Sequence, residues 1–584
     1  MTKKVGSVLY MQKSNNNSSN NKTTILSKIY FLFWSVYFLI FWSRALYFDK
    51  IGNLVAGHVN IWGDWAAHFT MGTAMANRGL ILKTSPFLIG AKFSYPFVSD
   101  LISAISIILT GNIVMSFIVP SFLLSIFFVW AIYYFFKTIW QSEKKAILSS
   151  LVFLLNGGLG FYYFFKEIIK SDKPFTALLN PAHEVTRYDL WSIKWINVID
   201  SMVIPQRAFL LGFPLTLLAL TLIYKNFIQK KTLNLKQIII AGIILGFMPI
   251  IHTHSFLAAF IILSFWCLED ILNHTKINIK NIKNSKWPIK KIKDWLKLIA
   301  ITSLIALPLL VYYFQGTVDQ GFMKFYPGWL AKSYEMNWFE FWWRNWFLVP
   351  WLAFAGFIVM AKRDLRKLFI FSPFIFIFII ANLFLFQPFA WDNTKLFIWS
   401  SLGFSYLSVY SLNEILKKKN RPFKLPYQAK QLVIGITFIF IILSGLMDLH
   451  YIARHDLHHH IMYTKEELDL TKWVNQNTPS DAIWLTGDKH NHFIFNLTGR
   501  QTVLTYRGWL WTHGYDYLPV EKDVMKVFSN PQSNLNLLEK YQVNYIIVGT
   551  NEKTVWKANE EAFVQNFNLI KQTNHYKIFE SKYN

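Results

Sequence analysis

The sequence predicts a polytopic α-helical membrane protein, with about eleven transmembrane helices, ending in an extracytoplasmic α/β domain. Three observations carry this reading. The 584 residues are 53% hydrophobic and 18% aromatic, gathered into repeated apolar runs long enough to cross a bilayer. Basic residues cluster in short segments between those runs, the pattern of cytoplasmic loops. Beyond residue 449 the composition becomes mixed, and short strand and helix patterns alternate. The formal charge of +26 therefore reads as topology, and nucleic acid is not an expected partner. The single cysteine, Cys267, lies inside an apolar run, which excludes an intrachain disulfide and a thiolate metal cage.

Residues 1–28 are basic, rich in Asn and Ser and free of acids, as expected of a disordered cytoplasmic tail. The membrane domain, 29–449, opens with a span at 29–48 that runs outward. Further spans are expected at 113–136, 146–165, 203–224, 237–252, 255–272, 298–314, 346–361, 368–387, 395–413 and 431–449. The stretch YPFVSDLISAISIILTG, 95–111, could also be counted as a span, and counting it would invert every later loop. Charge decides against that. With 95–111 lying along the outer interface, the inner segments are 1–28, 137–145, 225–236, 276–297, 362–367 and 417–430. These carry essentially the whole net charge and leave the outside near neutral. Residues 49–112 are then a long first outer loop with juxtamembrane helices. The chain is placed in a plasma membrane, multi-pass, with the N-terminus cytoplasmic and residues 450–584 outside.

In that outer domain TKEELDLTKWVNQNTP, HNHFIFNLTG and NLNLLEKYQ read as helices, and DAIWLT, RQTVLTY, VNYIIVG and YKIFES as strands. It has no glycine-rich phosphate loop. In the first outer loop, NIWGDWAAHFTMG places one acid among tryptophans and alanines. A helix from Gly63 to Arg78 would put Asp64, His68, Met71 and Met75 on one face. Asp64 then either caps the helix, a common use of Asp, or works beside the imidazole, and the two roles are compatible.

A span, a long outer loop with an acid near the start of its first helix, a lysine and proline in AKFSYPF, many further spans and a terminal α/β domain together resemble the GT-C superfamily of membrane glycosyltransferases. Its members use polyprenyl-phosphate sugars and include aminoarabinose transferases, protein O-mannosyltransferases and oligosaccharyltransferases. HNHFIFNLTGR, YRGWLWTHGYDY and LLEKYQVNYIIVGTNE are similar to the terminal domains of bacterial and archaeal members. The resemblance implies an inverting transfer of a sugar from a polyprenyl-phosphate donor, within the lipid bilayer, to an extracytoplasmic glycan, lipid or protein acceptor. It implies Asp64 as catalytic base, with His68 beside it. Lys92, Arg207 (in VIPQRAFLLGF) and Lys395 with Asp392 (in QPFAWDNTKLFIW) stand at the outer ends of spans as substrate-binding groups. Many members carry paired acids in this loop, whereas Trp65 and Ala66 follow Asp64, so no metal cofactor is expected.

The histidines His252, His254, His490, His492 and those in HDLHHH, 455–460, match no ligand spacing and are left without a role. Arg500, Tyr506, Arg507, Trp509, Trp511, His513 and Tyr515 read either as a sugar- and phosphate-binding surface, with Arg507, Trp509 and Trp511 in contact, or as a Trp-rich packing patch. The alternative to an enzyme is a transporter or flippase, or an envelope sensor with a glycan-binding outer domain. Polar residues lie mainly at the outer ends of spans, with exceptions such as Asn156 and Glu269, which favours chemistry at the interface.

Overall fold

A computed structural model describes residues 24–229, 234–275, 287–314, 323–417, 426–454 and 457–581. Most of the expected N-terminal tail, 1–23, lies outside the described residues. Its last five residues do not: Thr24 precedes helix α1, which begins at Ile25 and runs to Trp42, a few residues earlier than the apolar window suggested. One face, Tyr30, Trp34, Phe38, Phe41 and Trp42, is buried, while Ile29, Leu32, Val36 and Leu39 are exposed. A helix apolar on both faces belongs in lipid with one side against protein.

By length and composition seven helices among the described residues qualify as spans, or up to nine if each sharply bent pair is one. One such pair is Glu143–Leu155 with Gly160–Lys170, bent by 61° at NGGL. There Gly158 has φ +66°, and a Cβ would stand 2.2 Å from the Arg344 carbonyl oxygen, so only glycine fits. The other is Trp338–Trp346 with Val349–Ala361, bent by 99°. Two expected spans fall short of the criteria. The window 237–252 lies on Leu235–Ile251, of 17 residues. That at 395–413 lies on Thr394–Lys417, whose Ser400, Ser401, Ser405, Ser408 and Ser411 are buried among other helices.

The first long loop starts with a hairpin, Leu46–Phe48 against Leu54–Ala56, turned by Asp49, whose Oδ1 accepts from the backbone N–H of Ile51, Gly52 and Asn53 at 2.9 Å each. Helix α2 follows, Val59–Arg78, and then helix α3, Val98–Thr110. With 13 residues α3 is too short to cross a hydrocarbon core of roughly 30 Å. Its buried residues are Ser99, Asp100, Ser103 and Ala104, while Ile105, Ile108 and Leu109 are exposed.

Residues 460–581 contain a five-stranded sheet in the order Gln501–Thr502, Ile483–Leu485, Tyr545–Val548, Lys577–Glu580, Asn568–Gln572. The first three strands are parallel and the last two antiparallel to their neighbours. The helix Lys465–Asn477 opens with a capping box, Thr464 with Glu467. This unit is stitched to the first long loop. Strand His460–Tyr463 pairs with Leu54–Ala56. Asn496 Nδ2 donates to Ala66 O (2.9 Å) and Thr70 Oγ1 (2.8 Å), and Thr73 Oγ1 donates to Asn496 O (3.1 Å). One face of α2 is thus held by the terminal unit.

Candidate functional site

Helix α2 starts at Val59, capped by His58, whose Nδ1 accepts from Asn60 N–H at 3.2 Å. The expected start at Gly63 is therefore corrected, and with it the capping role: Asp64 is the sixth helical residue and caps nothing. It stays four residues from His68, so the two share a face. Asp64 is part-buried, and Gln206 Nε2 donates to its Oδ2 at 2.9 Å. Burial raises the pKa of Asp64; His68, the Gln206 bond and Lys395 oppose the rise, and Asp392 adds to it.

His68 is buried, its Nδ1 3.0 Å from both oxygens of Asp100. Asp100 in turn takes Arg207 Nε at 3.3 Å. The other nitrogens of Arg207 donate to Phe117 O (3.1 Å), Ser121 Oγ (2.9 Å), Ser99 O (3.2 Å) and Ser103 Oγ. Its guanidinium lies over the Phe117 ring at 4.4 Å. All five N–H donors are engaged and the side chain is 2% exposed, so Arg207 offers no donor to a phosphate. The phosphate reading of Arg207 is corrected here: it braces Asp100, which holds His68.

Lys395, in the first turn of Thr394–Lys417, is paired with Asp392 at 3.0 Å, both only slightly exposed. Its charge acts on Asp64, His252, His254 and His513, so α2, the His252–His254 turn, the start of Thr394–Lys417 and the terminal unit converge. His252 caps Thr253–His274 through Ser255 N–H (3.2 Å). His513 comes from the terminal unit. Its ring lies 4.6 Å from Tyr95, its Nδ1 is buried without a partner, and burial pushes its pKa down to about 3, so it is neutral near pH 7. Gln206 and Tyr95 carry no charge or motif that would have marked them in the sequence.

The remaining expected residues lie elsewhere. Lys92 is exposed, over the Tyr312 ring at 5.5 Å. Arg507 is spent inside the terminal unit, with Nε on Asp488 Oδ2 (2.5 Å), Nη1 on Glu521, and its plane over Trp556. Trp509 packs in that domain's core against Phe87 and Tyr506. Both contacts correct the substrate-binding reading of Arg507 and Trp509 in favour of the packing one. Trp511 is 49% exposed, its ring 6.3 Å from Phe389, two elements away from Lys395.

A part-buried carboxyl with one hydrogen bond, an ammonium nearby and imidazoles around both can take a proton from a hydroxyl while a cation meets developing negative charge.

No family model matches the chain, and no curated protein matches its sequence. Solved structures do resemble it. The oligosaccharyltransferase AglB from Archaeoglobus fulgidus, in complex with an inhibitory peptide and a dolichol-phosphate, gives a TM-score of 0.52 at 13% identity, over 96% of this chain and 75% of that one. The A. fulgidus oligosaccharyltransferase tethered with an acceptor peptide containing the NVT sequon gives 0.51 at 12% identity, over 93% and 73%. ArnT from Cupriavidus metallidurans in the apo state gives 0.51 at 9% identity, over 96% and 98%.

Proposed function

Starting from the fold this chain shares with GT-C membrane glycosyltransferases, we propose that it transfers a sugar from a polyprenyl-phosphate donor to an acceptor hydroxyl at the outer face of the membrane. The observation that carries this is Asp64: it is not a helix cap, it makes one hydrogen bond, and it lies within the field of Lys395. In the proposed step the acceptor oxygen bonds to the anomeric carbon as the bond from that carbon to the phosphate oxygen breaks. The acceptor proton goes to Asp64, and the electron pair leaves with the phosphate. Lys395 neutralises the departing phosphate, with Asp392 holding the ammonium in place. His68, fixed by Asp100, and neutral His513 orient hydroxyls. Trp511, exposed at the edge of the outer domain, is the aromatic face available to a sugar or acceptor. Lys92 would meet donor headgroups only from the rim.

The test is transfer itself. Purified protein in lipid vesicles is given radiolabelled polyprenyl-phosphate sugars and a membrane extract, and the labelled product is identified. Labelled product formed by wild type and lost in Asp64→Asn supports the reading. Donor that is translocated but never consumed would make the chain a flippase instead.

A further inference from the structure

A second cluster of buried acids and imidazoles lies at the other end of the Asp64 neighbourhood. His58, Glu184 and Asp200 each offer one ligand atom, and the three atoms lie within 4.8 Å of one another. His58 and Asp200 are fully buried, and Glu184 is 7% exposed. His58 Nε2, Glu184 Oε2 and Asp200 Oδ2 all lack a hydrogen-bond partner, and His58 Nε2 stands 3.6 Å from Asp200 Oδ1. Buried polar atoms are normally satisfied, and buried charges are paired or bind metals. The nearby cation, Arg187, is exposed and donates to Asn60 Oδ1 at 3.3 Å.

We propose that His58, Glu184 and Asp200 bind a divalent first-row metal ion, Zn²⁺ or Mn²⁺. One imidazole and two carboxylates suit these ions better than Mg²⁺ or Ca²⁺, which take all-oxygen sets. Two negative charges balance the ion. The surroundings already fix the ligands. Asn60 Nδ2 donates to Asp200 Oδ1 at 2.8 Å, and Asp448 holds the loop beside Glu184 through Val185 N–H (2.5 Å) and Thr186 N–H (3.1 Å). His458 and His460, which the reaction does not use, lie close by: the His458 ring is 4.8 Å from His58, and His460 Nε2 also lacks a hydrogen-bond partner. Coordination through Nε2 shifts the His58 ring proton to Nδ1, so the cap bond from Asn60 N–H is released on loading. The ion is a structural one. It ties the cap of α2, His58, six residues before Asp64, to the segment that leads to Gln206, the partner of Asp64. Asp64 is not a ligand, so the proposal stands or falls apart from the transferase reading.

The test uses the full chain in detergent, stripped with EDTA and returned to one equivalent of Zn²⁺ or Mn²⁺. Wild type should retain about one ion per chain after gel filtration, by elemental analysis, and its melting temperature should rise on loading. Glu184→Gln with Asp200→Asn should lose the ion, while Asp64→Asn keeps it. Wild type that holds no metal and does not respond in melting would overturn the proposal, leaving a proton between the carboxyls. Retention of the ion by the double variant would also overturn it. If that variant does not fold, X-ray absorption on loaded wild type decides: one imidazole with two carboxylates supports the site, and several imidazoles place the ion on HDLHHH instead.

Discussion

Asp64 is poorly served where it stands, since burial disfavours its charge and Gln206 supplies a single hydrogen bond. Its pKa is higher folded than unfolded, so between the two values the folded state binds more protons. Stability therefore falls as pH rises through that window and stays lower above it. Asp64→Asn should accordingly melt no lower than wild type at pH 7, while turnover falls by about 10² to 10⁴ fold, the loss expected for a missing general base. Wild-type turnover should itself decline as pH drops through the raised pKa. Full activity in Asp64→Asn would end the assignment. The two cations should separate in the same assays. Lys395→Gln should weaken donor binding by about 1.5–3 kcal/mol for a lost charge-assisted bond, with little change in melting. Arg207→Gln should instead cost about 3–5 kcal/mol of stability, because Asp100 stays buried without its guanidinium and keeps only His68. Intact donor affinity in Lys395→Gln would return that lysine to pairing with Asp392 alone. Both cations stood out in the sequence for the same reason, a charge at the outer mouth of a span. What distinguishes them is not local: the acceptors around Arg207 come from 86 to 108 positions away in the chain, where no spacing rule reaches.

At the scale of elements, α2 is held between the membrane helices and the terminal unit, and Gly499 sits at that seam. Its φ is +66°, and a Cβ would stand 2.4 Å from the Thr73 carbonyl oxygen of α2. Gly514 has φ +74° with nothing near its Cβ position. Gly514→Ala should therefore cost only the left-handed penalty of about 1–2 kcal/mol. Gly499→Ala should cost more and loosen the domain from α2, which limited proteolysis and melting of the two variants will compare. Equal stability in both would mean that the seam yields freely. The apolar windows, the Lys465–Asn477 helix and strands Ile483–Leu485, Tyr545–Val548 and Lys577–Glu580 were legible because burial imposes period and composition on them. The start of α2 was not, since His58 is an unusual cap for which no propensity prepares the reader. Strand Asn568–Gln572 was missed as well: it is an edge strand, mostly exposed, and carries no apolar alternation.

For the whole molecule, composition reveals the membrane but not which helices meet lipid. Thr394–Lys417 is too polar by its average because protein surrounds it, and the two bent pairs hide a break inside one apolar window. Orientation rests on a different signal, the charge of the loops, and it decides whether Asp64 faces the outside at all. The sheet that joins Leu54–Ala56 to His460–Tyr463 puts the first long loop and the terminal domain on one side, whichever side that is. Two exposed positions resolve it. In a chain carrying Cys267→Ala, Ser480→Cys should react with an impermeant maleimide in intact cells. Lys144→Cys, in the first turn of Glu143–Leu155 just after the short connection from Ile113–Trp140, should react only after the membrane is opened. Because the joined sheet fixes the two outer segments together, one reversal suffices: labelling of Lys144→Cys with protection of Ser480→Cys would place Asp64, Lys395 and the outer domain in the cytoplasm. The charge argument and the proposed reaction at the outer face would then fail together.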